Sequence, residues 1–140
     1  MRRIEVLAVE DNPPDLFWLK GVLNETGVEH RLSVVDDGKR ALSYLLKKGE
    51  YAEAPTPDLI LLDVHLPLLS GFEVLREVPD ADKLPICVLT SSNAERDLFA
   101  KEFGIHGVRY LIKPVTRENL LKCFQCYDHL RPIAEELAST

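Results

Sequence analysis

Five side chains that could bind a cation and a phosphate group stand where short apolar runs of the chain end. Glu10 and Asp11 directly follow one such run, Asp63 ends a second, and Thr90 and Lys113 follow two others. Carboxylate oxygens are the ligands that Mg²⁺ prefers, whereas a lysine ammonium and a threonine hydroxyl can both bind a phosphate oxygen. A bound Mg²⁺, a carboxylate nucleophile and a phosphate-pairing lysine are together the parts of a phosphoryl-transfer site.

The apolar runs alternate with helical patterns along the whole chain. The predicted strands are Ile4–Val9, His30–Val35, Asp58–Asp63, Ile86–Leu89 and Val108–Ile112. This alternation favours a parallel sheet with helices on both faces. The first, third and fourth strands are apolar on both faces and should be central, whereas the second and fifth alternate with polar residues and suit the edges. With right-handed crossovers, the sequence predicts a doubly wound, flavodoxin-like α/β fold with strand order 2-1-3-4-5 and five helices.

This fold would bring the candidate residues together, because ligands of such sheets bind at the carboxyl ends of the strands. Taken singly, each residue has an ordinary structural explanation. A terminal aspartate such as Asp11 is often only a helix N-cap, Lys113-Pro114 could form a turn, and Thr90 with its hydroxyl neighbours could cap the next helix. Their convergence at one rim favours the functional interpretation, since clustered carboxylates repel one another unless a cation is present.

Length, composition and charge narrow the class of protein. The 140 residues are 46% hydrophobic and 29% charged, which fits one globular domain. We expect that domain over residues 1–140, with a core from about 3 to 131 and a helical extension over 132–140. A net charge of −6 without a Lys/Arg cluster argues against direct nucleic-acid binding.

Targeting signals and cysteine usage favour a cytoplasmic location. No apolar run approaches the roughly 20 residues that span a bilayer, so we expect no membrane partner. The N-terminus has no signal-peptide pattern. The three cysteines are an odd number, which argues against the disulfide framework of a secreted protein.

Four motifs, taken together, resemble the receiver domain of two-component response regulators, with its flavodoxin-like (CheY-like) fold. The matching segments are Val9-Glu10-Asp11-Asn12, Leu61-Leu62-Asp63-Val64-His65-Leu66-Pro67, Leu89-Thr90-Ser91 and Tyr110-Leu111-Ile112-Lys113-Pro114. The match covers essentially the whole chain, in order and with family-like spacing.

The resemblance implies a role for each matching residue. Asp63 would be the phosphoacceptor, taking a phosphoryl group from the phosphohistidine of a sensor histidine kinase. Glu10, Asp11 and Asp63 would hold Mg²⁺ together with the backbone carbonyl of His65. Lys113 would pair with the phosphoryl group.

The resemblance also implies a conformational switch. The Lys113–Pro114 peptide bond would be cis. Thr90 would move toward the phosphoryl group, and Tyr110 would turn inward behind it. A phosphoryl group adds charge and three strong acceptors, so Thr90 gains a hydrogen-bond partner only in the phosphorylated state, as a population shift requires.

The loop Glu50–Pro57 and the absence of an output domain most resemble the stand-alone regulators that pair with bacterial phytochromes. We therefore expect a single-domain response regulator, a phosphoprotein of a phosphorelay whose output is contact with another protein. It would be no enzyme beyond its own phosphoryl transfer and autodephosphorylation.

Two other functions are compatible with part of the pattern. A haloacid-dehalogenase-like Mg²⁺ phosphatase also uses an aspartate nucleophile at a strand end, but its motif has a second Asp where His65 stands, and no cap domain is available. The other is a receiver-like scaffold that is never phosphorylated, against which the complete set of site residues argues.

The His65 side chain is a candidate for tuning the lifetime of the acyl phosphate, because family members vary that property two residues beyond the acceptor. A solvent-exposed loop histidine is the alternative. For Cys123 and Cys126, which share one helix face, packing is favoured over a metal or redox role, and Cys87 in a buried strand should behave as a small hydrophobe.

The last helix carries more apolar residues than one face of a sheet needs. One stripe holds Leu120, Cys123, Phe124, Tyr127, Leu130 and Ala134, with Leu121, Cys126 and Ile133 outside it. Pro132 should kink or restart this helix. A homodimer through the helix-five region explains the surplus; a monomer with a frayed tail is the alternative.

Overall fold

The computed structural model describes residues 3–103 and 108–138. In this part of the chain, a parallel sheet contains β1 (Ile4–Val9), β2 (His30–Val35), β3 (Leu59–Asp63), β4 (Ile86–Thr90) and β5 (Arg109–Ile112). The strand order is β2-β1-β3-β4-β5. Both β3 and β4 are buried along their full length, as the continuous apolar runs predict for central strands. The predicted α/β class and strand order are confirmed.

Six α-helices lie in the described part of the chain, one more than the sequence predicts. They are α1 (Pro13–Thr26), α2 (Gly38–Leu45), α3 (Gly71–Glu77), α4 (Asn93–Phe103), α5 (Arg117–Gln125) and α6 (Arg131–Ala138), with short 3₁₀ helices at Gly49–Tyr51 and Ala81–Lys83. The helix predicted after β5 is two helices, because α5 ends at Gln125 and Pro132 stands in the first turn of α6, where a missing N–H costs nothing.

Side-chain caps fix where several helices begin. The side chain of Asn12 accepts a hydrogen bond from Asp15 N at the start of α1. The side chain of Asp37 accepts one from Arg40 N at the start of α2. Ser70 and Thr116 form capping boxes at α3 and α5. These caps satisfy N–H groups that have no partner within the helix, and they place each first turn directly after a strand end or loop of the site.

Two apolar cores cover the two faces of the sheet. Side chains of α1, α5 and α6 pack on one face, and side chains of α2 and α3 pack on the other. The alternation of β1 explains the division, since Val6 and Ala8 belong to the first core and Leu7 and Val9 to the second.

Helix α6 folds back on the first core. Leu130, Ile133, Ala134 and Leu137 are all buried there, and the Arg117 guanidinium donates to the carbonyl of Leu137 at 3.2 Å. The segment expected beyond residue 131 as an extension therefore contributes to the core. Much of the apolar surface that suggested a homodimer is covered within one chain.

Two of the three cysteines lie in the interior. Cys87 of β4 and Cys123 of α5 are both buried in the first core, as the packing prediction expects. Their sulfur atoms contact each other there, because β4 and α5 direct them into the same interior space. Cys126 is an exposed free thiol. No described helix is long and apolar enough to cross a membrane.

Candidate functional site

Strand register brings the predicted site residues to one rim of the sheet. Val9 of β1 lies beside Leu62 of β3, so Glu10 and Asp63 leave their strands at the same level. Because Thr90 of β4 lies beside Ile112 of β5, Lys113 emerges next to Thr90, and its backbone N–H donates to the Thr90 carbonyl at 2.8 Å. The Lys113–Pro114 peptide bond is cis.

Three carboxylates form an acidic cluster at this rim. Glu10, Asp11 and Asp63 each offer an oxygen within 4.8 Å of the others. Glu10 and Asp63 are each 2% exposed, whereas Asp11 is open to solvent. Hard oxygen donors with one side open to water suit Mg²⁺, which binds one or two carboxylates and retains several waters. The residues present fit that ion.

Lys113 reaches the cluster from β5. Its Nζ donates to Asp15 Oδ2 at 2.9 Å, to Asp63 Oδ2 at 3.1 Å and to Glu10 Oε2 at 3.4 Å. Burial by itself lowers the pKa of this amine, but the hydrogen bond to Asp15 and the charges and hydrogen bonds of the cluster outweigh it, so the pKa of Lys113 lies above its ordinary value. Lys113 is therefore a permanent positive charge beside Asp63.

The site favours the charged form of Lys113 but the neutral, protonated form of Glu10. Burial first, and then the adjacent Asp63 carboxylate, raise the pKa of Glu10 from 4.5 to about 8, against the lowering effect of Lys113. A buried carboxyl next to another carboxylate holds its proton because two like charges at close range repel. Without a cation, this cluster is therefore strained electrostatically near neutral pH.

We expect the metal-free protein to lose stability as the pH rises from 4.5 to about 8. Folded Glu10 keeps its proton through this window, while the unfolded chain releases it. The contribution of Glu10 protonation to the free energy of unfolding is therefore complete below pH 4.5 and is lost as the pH passes 8. Thermal denaturation in EDTA should show a Tm lower by about 5 °C or more at the upper end. Saturating Mg²⁺ should remove most of this fall.

Glu10→Gln is the control for this pH dependence, because a glutamine has no proton to lose in the window. Its Tm profile in EDTA should be flatter than that of the wild type. An equally steep profile in Glu10→Gln would assign the pH dependence to other groups.

Thr90 and Tyr110 lie behind the acidic cluster on β4 and β5. Thr90 is fully buried, and its hydroxyl oxygen has no hydrogen-bond partner in the part of the chain that the structure describes. Such an atom is costly to leave unpaired, so a new acceptor nearby would stabilise it. The Tyr110 hydroxyl is also buried, its ring packs on the second core, and burial raises its pKa.

A bridge from the loop after β3 to α4 closes one side of the rim. His65 Nε2 lies 2.7 Å from Glu95 Oε2, and Glu95 Oε1 accepts from the backbone N–H of Ser91 at 3.0 Å. The backbone N–H of His65 donates to Asp63 Oδ1 at 3.1 Å. Sequence reasoning did not identify Glu95, although the spacing from Ser92 is that of a capping box, and Ser92 Oγ does accept from Glu95 N at 3.1 Å.

A cavity of about 500 Å³ opens beside Lys113. Apolar side chains form much of its wall, and Glu10, Asp15, Ser91 and Lys113 supply its polar groups. Trp18, the sole tryptophan, also lines it, and the indole N–H donates to the Val115 carbonyl at 2.7 Å. The sequence patterns assigned no functional role to Trp18 or to Asp15.

The chain is similar to a known family over most of its length. The family model for the response regulator receiver domain matches residues 6–125. Response regulator Rcp1 of Synechocystis sp. is 38% identical over 123 residues, covering 86% of this chain and 83% of that protein.

Solved structures agree with this similarity. The bacteriophytochrome response regulator AtBRR is 35% identical with a TM-score of 0.78, over 90% of this chain and 93% of that one. The Mn²⁺-bound form of Rcp1 is 34% identical with a TM-score of 0.66, over 93% and 91% of the two chains. The resemblance to phytochrome-paired regulators and the divalent-cation site are confirmed.

Proposed function

Since this chain belongs to the family of response regulator receiver domains, we propose that its Asp63 is the residue that accepts the phosphoryl group. One observation carries the assignment: the Asp63 carboxylate accepts from the Lys113 ammonium at 3.1 Å and lies within 4.8 Å of the other two carboxylates of the acidic cluster. Glu10, Asp11, Asp63 and the His65 carbonyl would hold Mg²⁺, which when bound neutralises charge on the phosphoryl oxygens.

In the transfer step, an Asp63 carboxylate oxygen attacks the phosphorus of a phosphohistidine. The new P–O bond forms as the P–N bond breaks, and the electron pair of that bond returns to the imidazole nitrogen of the donor. Lys113 balances the charge of the transferred group through an oxygen of that group. Hydrolysis by water later releases inorganic phosphate and regenerates the Asp63 carboxylate.

Thr90 and Tyr110 are the residues through which we propose that phosphorylation changes the surface. The unpaired Thr90 hydroxyl gains an acceptor when a phosphoryl oxygen is present, which supplies a contact that differs between the two states. Tyr110 lies on the neighbouring strand β5, opposite Val88 of β4, and would follow the movement of Thr90. The affected surface would consist of α4, β5 and α5.

The partner we propose is a sensor histidine kinase, of the phytochrome type by the similarity to AtBRR and Rcp1. The protein would be regulatory, with no catalysis beyond its own phosphorylation and dephosphorylation, and its output a protein contact rather than nucleic-acid binding. The cytoplasmic location stays a prediction.

A haloacid-dehalogenase-like phosphatase is disfavoured because the motif of that family has a second aspartate at the position of His65. In this chain, His65 pairs with Glu95 instead. The unphosphorylated scaffold is disfavoured because the site set is complete.

The homodimer through the helix-five region also stays a prediction. The prediction came from the surplus of apolar residues in the last helix. Much of that surplus is buried within one chain, at Leu130, Ile133, Ala134 and Leu137. Size-exclusion chromatography with and without a phosphodonor would measure it directly, and elution as a monomer in both states would reject it.

The proposed function is tested by intact-mass measurement after incubation with phosphoramidate, in Mg²⁺ and in EDTA. We expect one phosphoryl group, added only with Mg²⁺, and located by borohydride trapping and peptide mapping at Asp63. No adduct under conditions that label a known receiver, or an adduct elsewhere, would contradict the proposal.

His65→Ala should shorten the lifetime of the phosphoryl group by about two- to five-fold. The His65–Glu95 contact holds the loop beside Asp63 against α4, and losing an exposed side-chain hydrogen bond of this kind costs up to about 1 kcal/mol, which would leave Asp63 more open to water. Loss of the adduct after removal of the donor measures the lifetime. Glu95→Gln should shift it in the same direction by less, and unchanged kinetics in His65→Ala would exclude a tuning role.

A further inference from the structure

Lys113 donates hydrogen bonds to three carboxylates, and the shortest contact is to the one outside the acidic cluster. Asp15 Oδ2 lies 2.9 Å from Nζ, closer than either Asp63 or Glu10. A lysine ammonium has three protons, so this arrangement uses each of them once. Asp15 belongs to α1, whereas Glu10 and Asp63 stand at the ends of β1 and β3.

The first turn of α1 explains why the Asp15 side chain is available for this contact. Asp15 stands three residues after the Asn12 cap, where an acidic side chain commonly reaches back to the cap's backbone N–H. Here that N–H donates instead to Glu10 Oε1 at 3.2 Å. The two prolines at the start of α1 have no N–H that could attract the Asp15 carboxylate. Asp15 is therefore left to bind Lys113.

Asp15 differs from the other two carboxylates in what binding a cation would do to it. Glu10 and Asp63 would share their oxygens with Mg²⁺, which weakens their attraction for the ammonium, and the two cations repel each other. Asp15 is not among the clustered carboxylates, so its attraction for Lys113 is kept. The side chain of Asp15 is 47% exposed and that of Lys113 22%, so the pair lies at the mouth of the cavity rather than in the core.

We propose that Asp15 is a positioning residue that holds the Lys113 ammonium beside Asp63 for phosphoryl transfer, an inference that rests on the proposed function. The alternative is that Asp15 is only an acidic residue favoured in the first turn of a helix. The two interpretations predict opposite changes in the phosphorylation rate when the Asp15 carboxylate is removed. Removing a negative charge near the site should by itself speed the attack on an anionic donor, whereas loss of positioning should slow it.

The test is the initial rate of phosphorylation by phosphoramidate at saturating Mg²⁺, measured by intact mass. Asp15→Asn should slow the reaction roughly three- to five-fold, the size expected for a half-exposed charge pair. Asp15→Glu, which keeps a carboxylate, should recover at least half of the wild-type rate. Glu118→Gln is the matched control, since Glu118 is an exposed acid in the first turn of α5 and should react at the wild-type rate.

Two further readouts separate positioning from damage to the fold or to the cation site. The Tm of Asp15→Asn should stay within about 2 °C of the wild type. Its affinity for Mg²⁺, followed through the fluorescence of Trp18, should not fall. An unchanged or faster rate in Asp15→Asn, or no recovery in Asp15→Glu, would overturn the role of Asp15 while leaving the proposed function intact. Failure of the wild type to form the adduct would instead reject the proposed function.

Discussion

Asp63→Asn should form no phosphoryl adduct with phosphoramidate, at any Mg²⁺ concentration. The reaction needs an anionic oxygen at this position, and an amide oxygen is a far weaker nucleophile. The asparagine side chain would still fill the same space between β1 and β4, so the loss reports on chemistry rather than on packing. Intact mass under conditions that convert the wild type fully is the measurement.

The matched control is Asp58→Asn, at the opposite end of the same strand. Asp58 precedes β3 and accepts from the Glu5 backbone N–H at 2.8 Å, a role that an asparagine oxygen can retain. This variant should be phosphorylated like the wild type. A wild-type adduct in Asp63→Asn would show that another residue is the acceptor, and an equal loss in both variants would point to a folding defect.

The strand ends of the site could be predicted from the sequence because they follow from local patterns and one topological rule. Continuous apolar runs identified β3 and β4 as central strands, and right-handed crossovers fixed the order of the sheet. Once that order is known, Glu10, Asp63, Thr90 and Lys113 must share a rim. Their convergence required no knowledge of any side-chain conformation.

Asp15 and Glu95 could not be assigned from the same patterns, because both stand in first turns of helices. An acidic residue there has a sufficient local reason in capping and the helix dipole. Whether its carboxylate bonds its own helix or another element depends on side-chain direction. Asp15 reaches Lys113, 98 residues away, and Glu95 reaches His65, 30 residues away.

The end of the chain shows a different limit of sequence reasoning. The sequence predicts a homodimer in this region because the last helix carries more apolar residues than one face of a sheet needs. The break between α5 and α6 lets Leu130 and Ile133 return to the first core instead. Pro132 signals a break, but the direction of the chain after it depends on which surface is left to cover.

Gly71→Ala should strongly destabilise the protein at the site. A Cβ on Gly71 would overlap the backbone carbonyl oxygen of Asp63 and come within 3.0 Å of Val64 Cα. Asp63 ends a fully buried central strand, so the neighbouring backbone has little freedom to move away. We expect a loss of about 3 kcal/mol in the free energy of unfolding, the upper part of the range for overpacking, measured by urea denaturation.

Gly21→Ala makes the same chemical change where space is open, which separates the overlap from the general effect of a methyl group. Nothing lies within 4 Å of a Cβ at Gly21, which stands inside α1, so alanine there should stabilise the protein by up to about 1 kcal/mol. Gly71→Ala should also slow phosphorylation, because relieving the overlap moves Asp63 relative to Lys113. If Gly71→Ala were as stable as Gly21→Ala, the close approach of α3 to the end of β3 would be absent in solution, and the backbone support of Asp63 would have to come from the sheet alone.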